Sequence, residues 1–375
     1  MVYKAVLFLL AADASSFEDG RVWKPISTEA DTVTETQPRS ILSIRKSQIE
    51  FNGSILGSGS FASVSPATLM NRDSSRESVV IKTMRKRTLR ELEKLYINEL
   101  DILTQMQSLT ERESAEQDHQ GRDYIVQLIG SFEDVDKMYI VLEPLGLDLF
   151  HVTTSDIPLH LDDLREILRQ TLHAIDYCHM KGVIHCDIKL ENVLLAASGP
   201  LKHGRDGRIT NLKIKLIDFG LSKRVGDGRL DKYGTFAFLS PEVVLSIPRT
   251  AKLDMWGIGH LAFTLRTCRD MFGYVDDDDY NRLLVMMQKV RWTGIPKSMF
   301  QRSADRSRFR KWILESSEST RPWAIDNYII CGCEDVKNTE AEGLVDLIHC
   351  LMEFDPDRRP SAKEALIHPF LRIKD

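Results

Sequence analysis

The sequence lacks any apolar run close to the ~18 residues that a transmembrane helix needs. Its six cysteines include no CxxC pair and no zinc-site spacing, which argues against disulfide scaffolds and zinc fingers. Charge of one sign is also scarce, because 50 Lys and Arg stand against 55 Asp and Glu, for a net charge of −5. This balance predicts neither nucleic-acid nor membrane-surface binding. We therefore expect an intracellular chain with reduced cysteines, in the cytoplasm or nucleus.

The N-terminal segment is the one exception to this pattern. Residues 1–14 carry a single Lys, an apolar stretch from Ala5 to Ala12 and a small-residue end, which together imitate a secretory signal peptide. The minimal charged region favours a terminal strand or an apolar plug instead, and secretion is the less favoured alternative. The polar, Ser- and Thr-rich composition that follows predicts a flexible leader over residues 1–48.

The pattern changes at Ile49. Apolar, β-branched runs separated by turn residues predict five strands in a small, mainly antiparallel sheet, with one helix among them. Helical periods dominate from about Leu161, where a helix is predicted through Lys181 with Gly182 placed to end it. The fold class is therefore α+β.

The helix within the strand region carries an acidic residue in its apolar stripe. Its stripe residues are spaced by three and four and share one face: Leu92, Tyr96, Glu99, Leu103 and Met106. A buried carboxylate without a partner would be costly, so this position predicts a cationic partner inside the protein. The alternative is that Glu99 lies at the edge of the stripe and reaches solvent. Periodicity leaves both open.

Two motifs in the strand region are typical of phosphate binding. Glycines at Gly57 and Gly59 would let backbone N–H groups approach phosphate oxygens. The run Val79–Lys82 ends a strand on a Lys. Each is weak alone, since Gly-Ser turns are common and strand-end lysines often face solvent. Together they suggest an ATP site in which Lys82 holds the α- and β-phosphates and Glu99 holds Lys82.

The strongest signal is the run His-Cys-Asp-Ile-Lys-Leu-Glu-Asn at residues 185–192, followed by Asp218-Phe-Gly. The spacing from Asp187 to Asn192 can direct a carboxylate at a substrate hydroxyl and an amide oxygen at a metal. Asp218 offers a hard oxygen ligand suited to Mg²⁺. Lys189 can neutralise charge on a phosphoryl group during transfer.

In this order the motifs resemble the signature of eukaryotic protein kinases, over about residues 49–373. Ser-Pro-Glu at 240–242 and Asp-Met-Trp-Gly at 254–257 match further family segments. The resemblance implies a bilobal fold, with a β-rich N-lobe at about 49–143 holding one key helix. A larger, mainly helical C-lobe would follow at about 147–373. It implies a kinase that uses ATP and Mg²⁺ and acts on protein substrates.

The resemblance also implies roles for individual residues. The catalytic set would be Asp187, Lys189, Lys82, Glu99 and Thr235. The metal ligands would be Asn192 and Asp218. The nucleotide contacts would be Leu56, Gly57, Gly59, Val64, Val80, Lys82, Glu143, Leu145 and Leu194. Arg359 would pair with Glu242.

Specificity is also implied by the resemblance. Lys189 and Thr235 are typical of Ser/Thr rather than Tyr kinases. His-Cys-Asp and the run Leu-Gly-Leu-Asp-Leu at 145–149 are similar to the dual-specificity Tyr-regulated and related kinases of the CMGC group. The Arg-rich segment of that group before Pro-Glu is missing here.

Cys186 departs from the common family pattern. Most kinases that are activated by loop phosphorylation have Arg at this position, which pairs with the phosphate. A Cys cannot make that charge-assisted pair, so we predict activity that does not require a phosphorylated loop. Ser222, Tyr233 and Thr235 are candidate phosphorylation sites, and a packed thiol is favoured over a redox sensor.

Two other functions are alternatives to a protein kinase. A pseudokinase or scaffold would keep the fold without catalysis, but such proteins commonly lack one or more of the polar catalytic residues, all of which are present here. A small-molecule kinase would share the catalytic loop but generally lacks the Pro-Glu segment and the Asp-x-Trp-Gly helix. The sequence leaves the physiological substrate and the oligomeric state open.

Overall fold

The computed structural model describes residues 42–372 with several gaps. The gaps are residues 54, 59–61, 87–89, 109–119, 154–158, 197–203, 205–206, 228–238, 274–278, 291–293, 311–325, 327–328 and 330–337. The signal-like segment, Gly59, Tyr233 and Thr235 therefore lie outside the described residues. In the part of the chain that is described, no helix has the length and apolarity to cross a membrane.

The N-terminal half forms a seven-stranded sheet. Its strands are β1 (Leu42–Ser43), β2 (Ile49–Phe51), β3 (Gly57–Ser58), β4 (Ala62–Met70), β5 (Arg76–Arg85), β6 (Leu128–Glu133) and β7 (Lys137–Leu142). The order is β1-β6-β7-β5-β4-β2, with β3 paired to β4. All pairs are antiparallel except β1 with β6. Helix α1 (Arg90–Gln107) follows β5.

Alternation along β5 sets the two faces of this sheet. Val79 and Ile81 are buried and belong to an apolar cluster on one face. Lys82 directly follows Ile81, so its side chain points to the opposite face, where it meets Glu99 of α1. Leu103 and Met106 of α1 are buried in the main core on that side. The strand therefore presents its Lys toward the helix that carries Glu99.

Residues 42–48 contact the sheet, although the sequence predicted a leader through residue 48. Strand β1 pairs with Gly130 and Ser131 of β6. Ile44 is buried in the apolar cluster, and Lys46 forms an ion pair with Asp134. Composition averaged over the long polar segment concealed this short apolar stretch. The folded part of the chain therefore includes residues before Ile49.

The second half is mainly helical. Its helices are α2 (Leu149–Thr153), α3 (Leu161–Met180), α4 (Pro241–Val244), α5 (Lys252–Thr267), α6 (Asp279–Lys289), α7 (Lys297–Arg302), α8 (Arg306–Phe309), α9 (Asn338–Leu351) and α10 (Ala362–Leu366). Short strands β8 (Val183–Ile184), β9 (Val193–Leu195), β10 (Ile214–Leu216) and β11 (Lys223–Arg224) form the antiparallel pairs β8–β11 and β9–β10. This arrangement is the predicted α+β fold, with a β-rich and a helical lobe.

Helix α3 matches its prediction closely. Its predicted apolar face is fully buried, at Leu164, Ile167, Leu168, Leu172 and Ile175. Gly182 follows with a φ of 73°, a left-handed conformation that glycine adopts at no steric cost. The chain can therefore reverse immediately into β8.

A 3₁₀ turn at Gln120–Tyr124 packs on α3. Gly121 lies so close that a Cβ there would be 2.1 Å from the His173 carbonyl oxygen and 2.6 Å from the Cβ of Tyr177. Glycine at this position therefore permits close backbone approach, which its place in a polar run did not indicate.

The predicted pair of Arg359 and Glu242 is present in the core of the helical lobe. The guanidinium binds both carboxylate oxygens, at 2.7 and 2.8 Å, and both side chains are almost completely buried. Arg359 also donates to the Glu353 carbonyl at 2.6 Å and lies 5.0 Å from the Trp256 ring centroid. The pair joins α4 to the turn before α10.

Two glycines in helices offer a direct test of this packing. A Cβ at Gly257 would lie 2.8 Å from the Cβ of Ile188, whereas one at Gly343 would lie 3.6 Å from Phe370, an ordinary contact. We expect Gly257→Ala to lower the free energy of unfolding by about 1–3 kcal/mol through overpacking. The control, Gly343→Ala, should raise it by about 0.5–1 kcal/mol through helix propensity. Urea unfolding at equilibrium measures both, and equal effects would contradict the close contact at Gly257.

Candidate active site

The site lies between the two lobes and is built around the ammonium group of Lys82. Its Nζ is 2.9 and 2.7 Å from the two carboxylate oxygens of Glu99 and 2.9 Å from Oδ1 of Asp218. Glu99 is only 2% exposed. Of the two alternatives for this residue, the structure therefore has the buried one, with a cationic partner from β5.

The charges in this cluster stabilise one another. Burial alone would lower the pKa of Lys82, but the carboxylates of Asp218 and Glu99 raise it above its ordinary value. Burial would likewise raise the pKa of Asp218, yet Lys82 and then Lys189 hold it at about 2. Both groups are therefore charged across the physiological pH range. The side chain of Asp218 keeps 42% of its surface exposed, so this carboxylate also faces the cleft.

The catalytic loop, residues 185–192, brings the other predicted groups together. Asp187 is 7% exposed, and its Oδ2 lies 3.2 Å from Nζ of Lys189. The amide nitrogen of Asn192 donates to the same oxygen at 2.9 Å and to the Asp187 carbonyl at 2.8 Å. One carboxylate thus has a cation and an amide donor beside it.

A buried carboxylate on α5 supports this loop from behind. Asp254 is completely buried and accepts hydrogen bonds from the N–H groups of His185 and Cys186, at 2.9 and 2.8 Å. Its Oδ2 also lies 2.8 Å from Nε2 of His179. Burial would raise the pKa of Asp254, but the contact with His179 first, and the Cys186 N–H with it, lower that pKa below its usual value.

Residues 254–257 were recognised as a family segment, but these individual contacts were not predicted. The available signal was the carboxylate itself. Asp254 stands near the start of a mainly buried helix, where burial requires several donors. The identity of those donors depends on the tertiary arrangement.

Several residues that were predicted to contact the nucleotide lie on the strands next to Lys82. Leu56 donates its N–H to the Val64 carbonyl at 2.8 Å, which closes the hairpin of β3 and β4. Val64 lies opposite Lys82 in the sheet, and Val80 lies opposite Leu142. These pairings place Val64 and Val80 next to Lys82 in the sheet.

The segment between the lobes carries two more predicted contacts, Glu143 and Leu145. The side chain of Glu143 accepts from the Gln127 N–H at 2.7 Å and pairs with Lys215 of β10 at 2.9 Å. Leu145 packs against the core of the helical lobe. Leu194 lies on β9, next to Asp148 in an isolated bridge. Glu143, Leu145 and Leu194 thus lie on the connecting segment and on β9, and their contact with a nucleotide stays a prediction.

The donor set fits the cofactors that the motifs imply. Asp218 is ionised and partly exposed, and carboxylate oxygens are ligands that Mg²⁺ prefers. The amide nitrogen of Asn192 is engaged with Asp187, which leaves its oxygen as the group suited to a cation. The ammonium of Lys82 supplies a positive charge for phosphate oxygens.

Two sequence predictions concern thiol and hydroxyl groups near the loop. Cys186 is 7% exposed, and burial, together with the nearby charge of Asp254, raises the pKa of its thiol to about 12. A neutral packed thiol agrees with the favoured interpretation. Ser222 is wholly buried and its hydroxyl donates to the His185 carbonyl at 3.2 Å. Its suggestion as a phosphorylation site is wrong for this conformation, because a kinase could not reach the hydroxyl.

Comparisons with known proteins agree with this geometry. Residues 51–371 match the protein kinase domain. The chain is 29% identical to dual specificity protein kinase CLK1 of Homo sapiens, over 66% of this chain and 53% of that protein. It is 26% identical to the calcium/calmodulin-dependent protein kinase cmkA of Emericella nidulans, over 88% and 63%. The chain thus spans about half the length of the first curated relatives that it matches.

A solved structure described as a kinase domain shares the fold. It superposes with a TM-score of 0.68 at 24% identity, covering 88% of this chain and 99% of that one. The match to the kinase domain covers nearly the whole described chain, and members of this family use ATP and Mg²⁺ as cofactors. The chain therefore belongs to the protein kinase family.

Proposed function

We propose that this protein transfers the γ-phosphoryl group of ATP to Ser and Thr hydroxyls of protein substrates. The observation that carries the proposal is the double contact of Lys82 with Glu99 and Asp218. It joins the β-rich lobe to the Asp218 segment of the helical lobe, as ATP-dependent transfer requires. A scaffold without catalysis would have no need to retain this arrangement.

Each group has a distinct chemical task in this proposal. Asp187 orients the substrate hydroxyl and accepts its proton, and Lys189 offsets charge on the transferring phosphoryl group. Lys82 positions the phosphates, and Glu99 fixes Lys82. Asp218 and the amide oxygen of Asn192 would hold Mg²⁺, which supplies charge neutralisation at the phosphates when bound. Thr235 is proposed to contact Asp187 and Lys189, by resemblance.

Ser/Thr specificity rests on the position of Lys189, two residues after Asp187. Its Nζ reaches the carboxylate at 3.2 Å. Of the relatives, one is named a serine/threonine kinase (protein kinase D2 of Rattus norvegicus), whereas CLK1 is named a dual specificity kinase. A test of specificity therefore needs Tyr acceptors beside Ser and Thr. An intracellular location is part of the same proposal.

Independence from loop phosphorylation is supported by how the catalytic loop is held. Asp254 binds two backbone N–H groups of the loop from within the protein. The residue before Asp187 is a neutral thiol, which offers no charge for a phosphate to pair with. A carboxylate inside the protein thus holds the catalytic loop.

The role of Asp187 is tested by Asp187→Asn. We expect transfer to a library of Ser, Thr and Tyr peptides to fall by at least about 10²-fold, since the proton acceptor is lost. ATP affinity, measured by calorimetry with Mg²⁺, should stay within about twofold because Lys82 and Asp218 remain. The matched control is Asp101→Asn on the exposed face of α1, which should leave both quantities unchanged. Persisting transfer in Asp187→Asn would contradict the assignment.

A second test addresses the loop. Protein treated with a broad phosphatase, and shown by mass spectrometry to carry no phosphate, should keep its rate within about twofold of the untreated sample. The physical reason is that Asp254, not a phosphate, positions the residues around Asp187. Loss of nearly all activity on treatment, with recovery on rephosphorylation, would show that the loop does depend on phosphate.

A further inference from the structure

The side-chain amide of Asn98 bridges α1 and the Asp218 segment, residues 218–224. Its Nδ2 lies 2.9 Å from the Ser222 carbonyl oxygen and 3.4 Å from that of Gly220. A primary amide has two N–H groups, so both acceptors can be served at once. Asn98 is not among the predicted site residues, since a polar residue on a helix is most simply a solvated one.

The two residues next to each other on α1 thus make complementary contacts. Glu99 binds the Lys82 ammonium, while Asn98 binds the backbone that carries Asp218. The approach is close, because a Cβ at Gly220 would lie 3.3 Å from Oδ1 of Asp218 and 3.6 Å from Oε2 of Glu99. The position of the helix and that of the metal-binding carboxylate are therefore mechanically coupled.

The chain of contacts continues to the catalytic loop. Ser222, which accepts from Asn98 through its carbonyl, donates its own hydroxyl to the His185 carbonyl at 3.2 Å. The Ser222 N–H also donates to the Phe219 carbonyl at 3.1 Å. One buried residue therefore connects α1, the Asp218 segment and the loop that holds Asp187.

The far end of α1 is held separately on the helical lobe. The Tyr177 hydroxyl donates to the Met106 carbonyl at 2.8 Å, and Arg122 donates to that of Gln107 at 2.8 Å. Gln105 reaches the Lys181 carbonyl at 2.8 Å. Outward movement of α1 would therefore be a rotation about this anchored end. The contacts of Asn98 and Glu99 in the middle of the helix, together with the bond from the Tyr96 hydroxyl to the Tyr139 carbonyl, resist it.

We propose that Asn98 is a positioning residue, whose amide keeps α1 against the Asp218 segment so that Glu99 and Lys82 stay paired. This inference rests on the proposed kinase function. The Asn98 amide is a neutral donor, and it would hold α1 in place without a phosphorylated loop. Nothing in the bridge needs a covalent modification.

Two substitutions of Asn98 test the role of its hydrogen-bond donor, and the first removes the side-chain amide altogether. Asn98→Ala removes the donor, and we expect kcat to fall about 3- to 10-fold, the range for one or two lost hydrogen bonds. The KM for ATP should change by less than about twofold, because alignment during transfer is affected more than binding. The matched control is Ile97→Ala, next on the same helix and 48% exposed, which should leave kcat unchanged.

The second substitution gives a pH signature. Asn98→Asp places an ionised carboxylate against two carbonyl oxygens, whereas its protonated form can donate to Ser222. The ratio of its activity to that of the unsubstituted protein should therefore rise as the pH falls from 8 to 6, by about threefold or more. For Asn98→Ala the same ratio should stay flat.

The other ionisable groups near Asn98 are the same in the unsubstituted protein and in every variant. Among the described residues they include Lys94 and Asp101 on α1, Lys82 on β5, and Asp218, Lys223 and Arg224 on the facing segment, with Glu99 beside the site. Their titration cancels in the ratio. Ile97→Asp, which adds the same charge to the exposed neighbouring position, is the charge control and should give a flat ratio.

A measurement independent of activity completes the test. Hydrogen exchange of α1 should be faster in Asn98→Ala than in Ile97→Ala, by about 3- to 10-fold in the half that contains Glu99. Equal exchange and equal kcat in the two variants would overturn the proposal, as would a flat pH ratio in Asn98→Asp. Faster exchange in a chain that transfers no phosphate to any peptide would instead count against the proposed kinase function alone.

Discussion

The carboxylate of Asp254 lies where solvent does not reach, and the catalytic loop is arranged around it. A buried anion without hydrogen-bond donors would be strongly unfavourable, so the Asp254 carboxylate depends on the donors around it. Two of those donors are consecutive backbone N–H groups, of His185 and Cys186, and Cys186 adopts a left-handed φ of 68°. The cost of burying the charge is thus offset by contacts that also determine the direction in which Asp187 points.

The cluster around Lys82 has a different energetic character. Buried ion pairs are seldom large sources of stability, because desolvation cancels much of the attraction. Removing one partner nevertheless leaves a buried, uncompensated charge. The contacts of Lys82 with Glu99 and Asp218 therefore matter less for folding than for keeping α1, β5 and the Asp218 segment in one arrangement. The amide of Asn98 acts on the same arrangement without adding charge.

Local spacing predicted what depends on one element alone. The apolar face of α3 and the glycine at its end follow from periodicity within twenty residues. The partner of Glu99 could not follow from spacing, since Lys82 lies on another element 17 residues away. The motifs around Asp187 and Asp218 were placed in one cleft by family resemblance. The two-residue strand β1, the packing of Gly121 and the amide of Asn98 depend on neighbours distant in sequence, and their own residue types are ambiguous.

The buried pair of Glu242 and Arg359 has a consequence for how such a sequence can change over time. Replacing either residue alone would strand a charge in the core, at a cost of about 3–5 kcal/mol, which is comparable to much of the stability of a typical domain. Replacing both by apolar residues of similar volume can be close to neutral. Sequence change at these two positions must therefore pass through a strongly destabilised single variant, or both residues must change in one step. The two positions are 117 apart in the sequence, so the one-step route would need two distant changes at once.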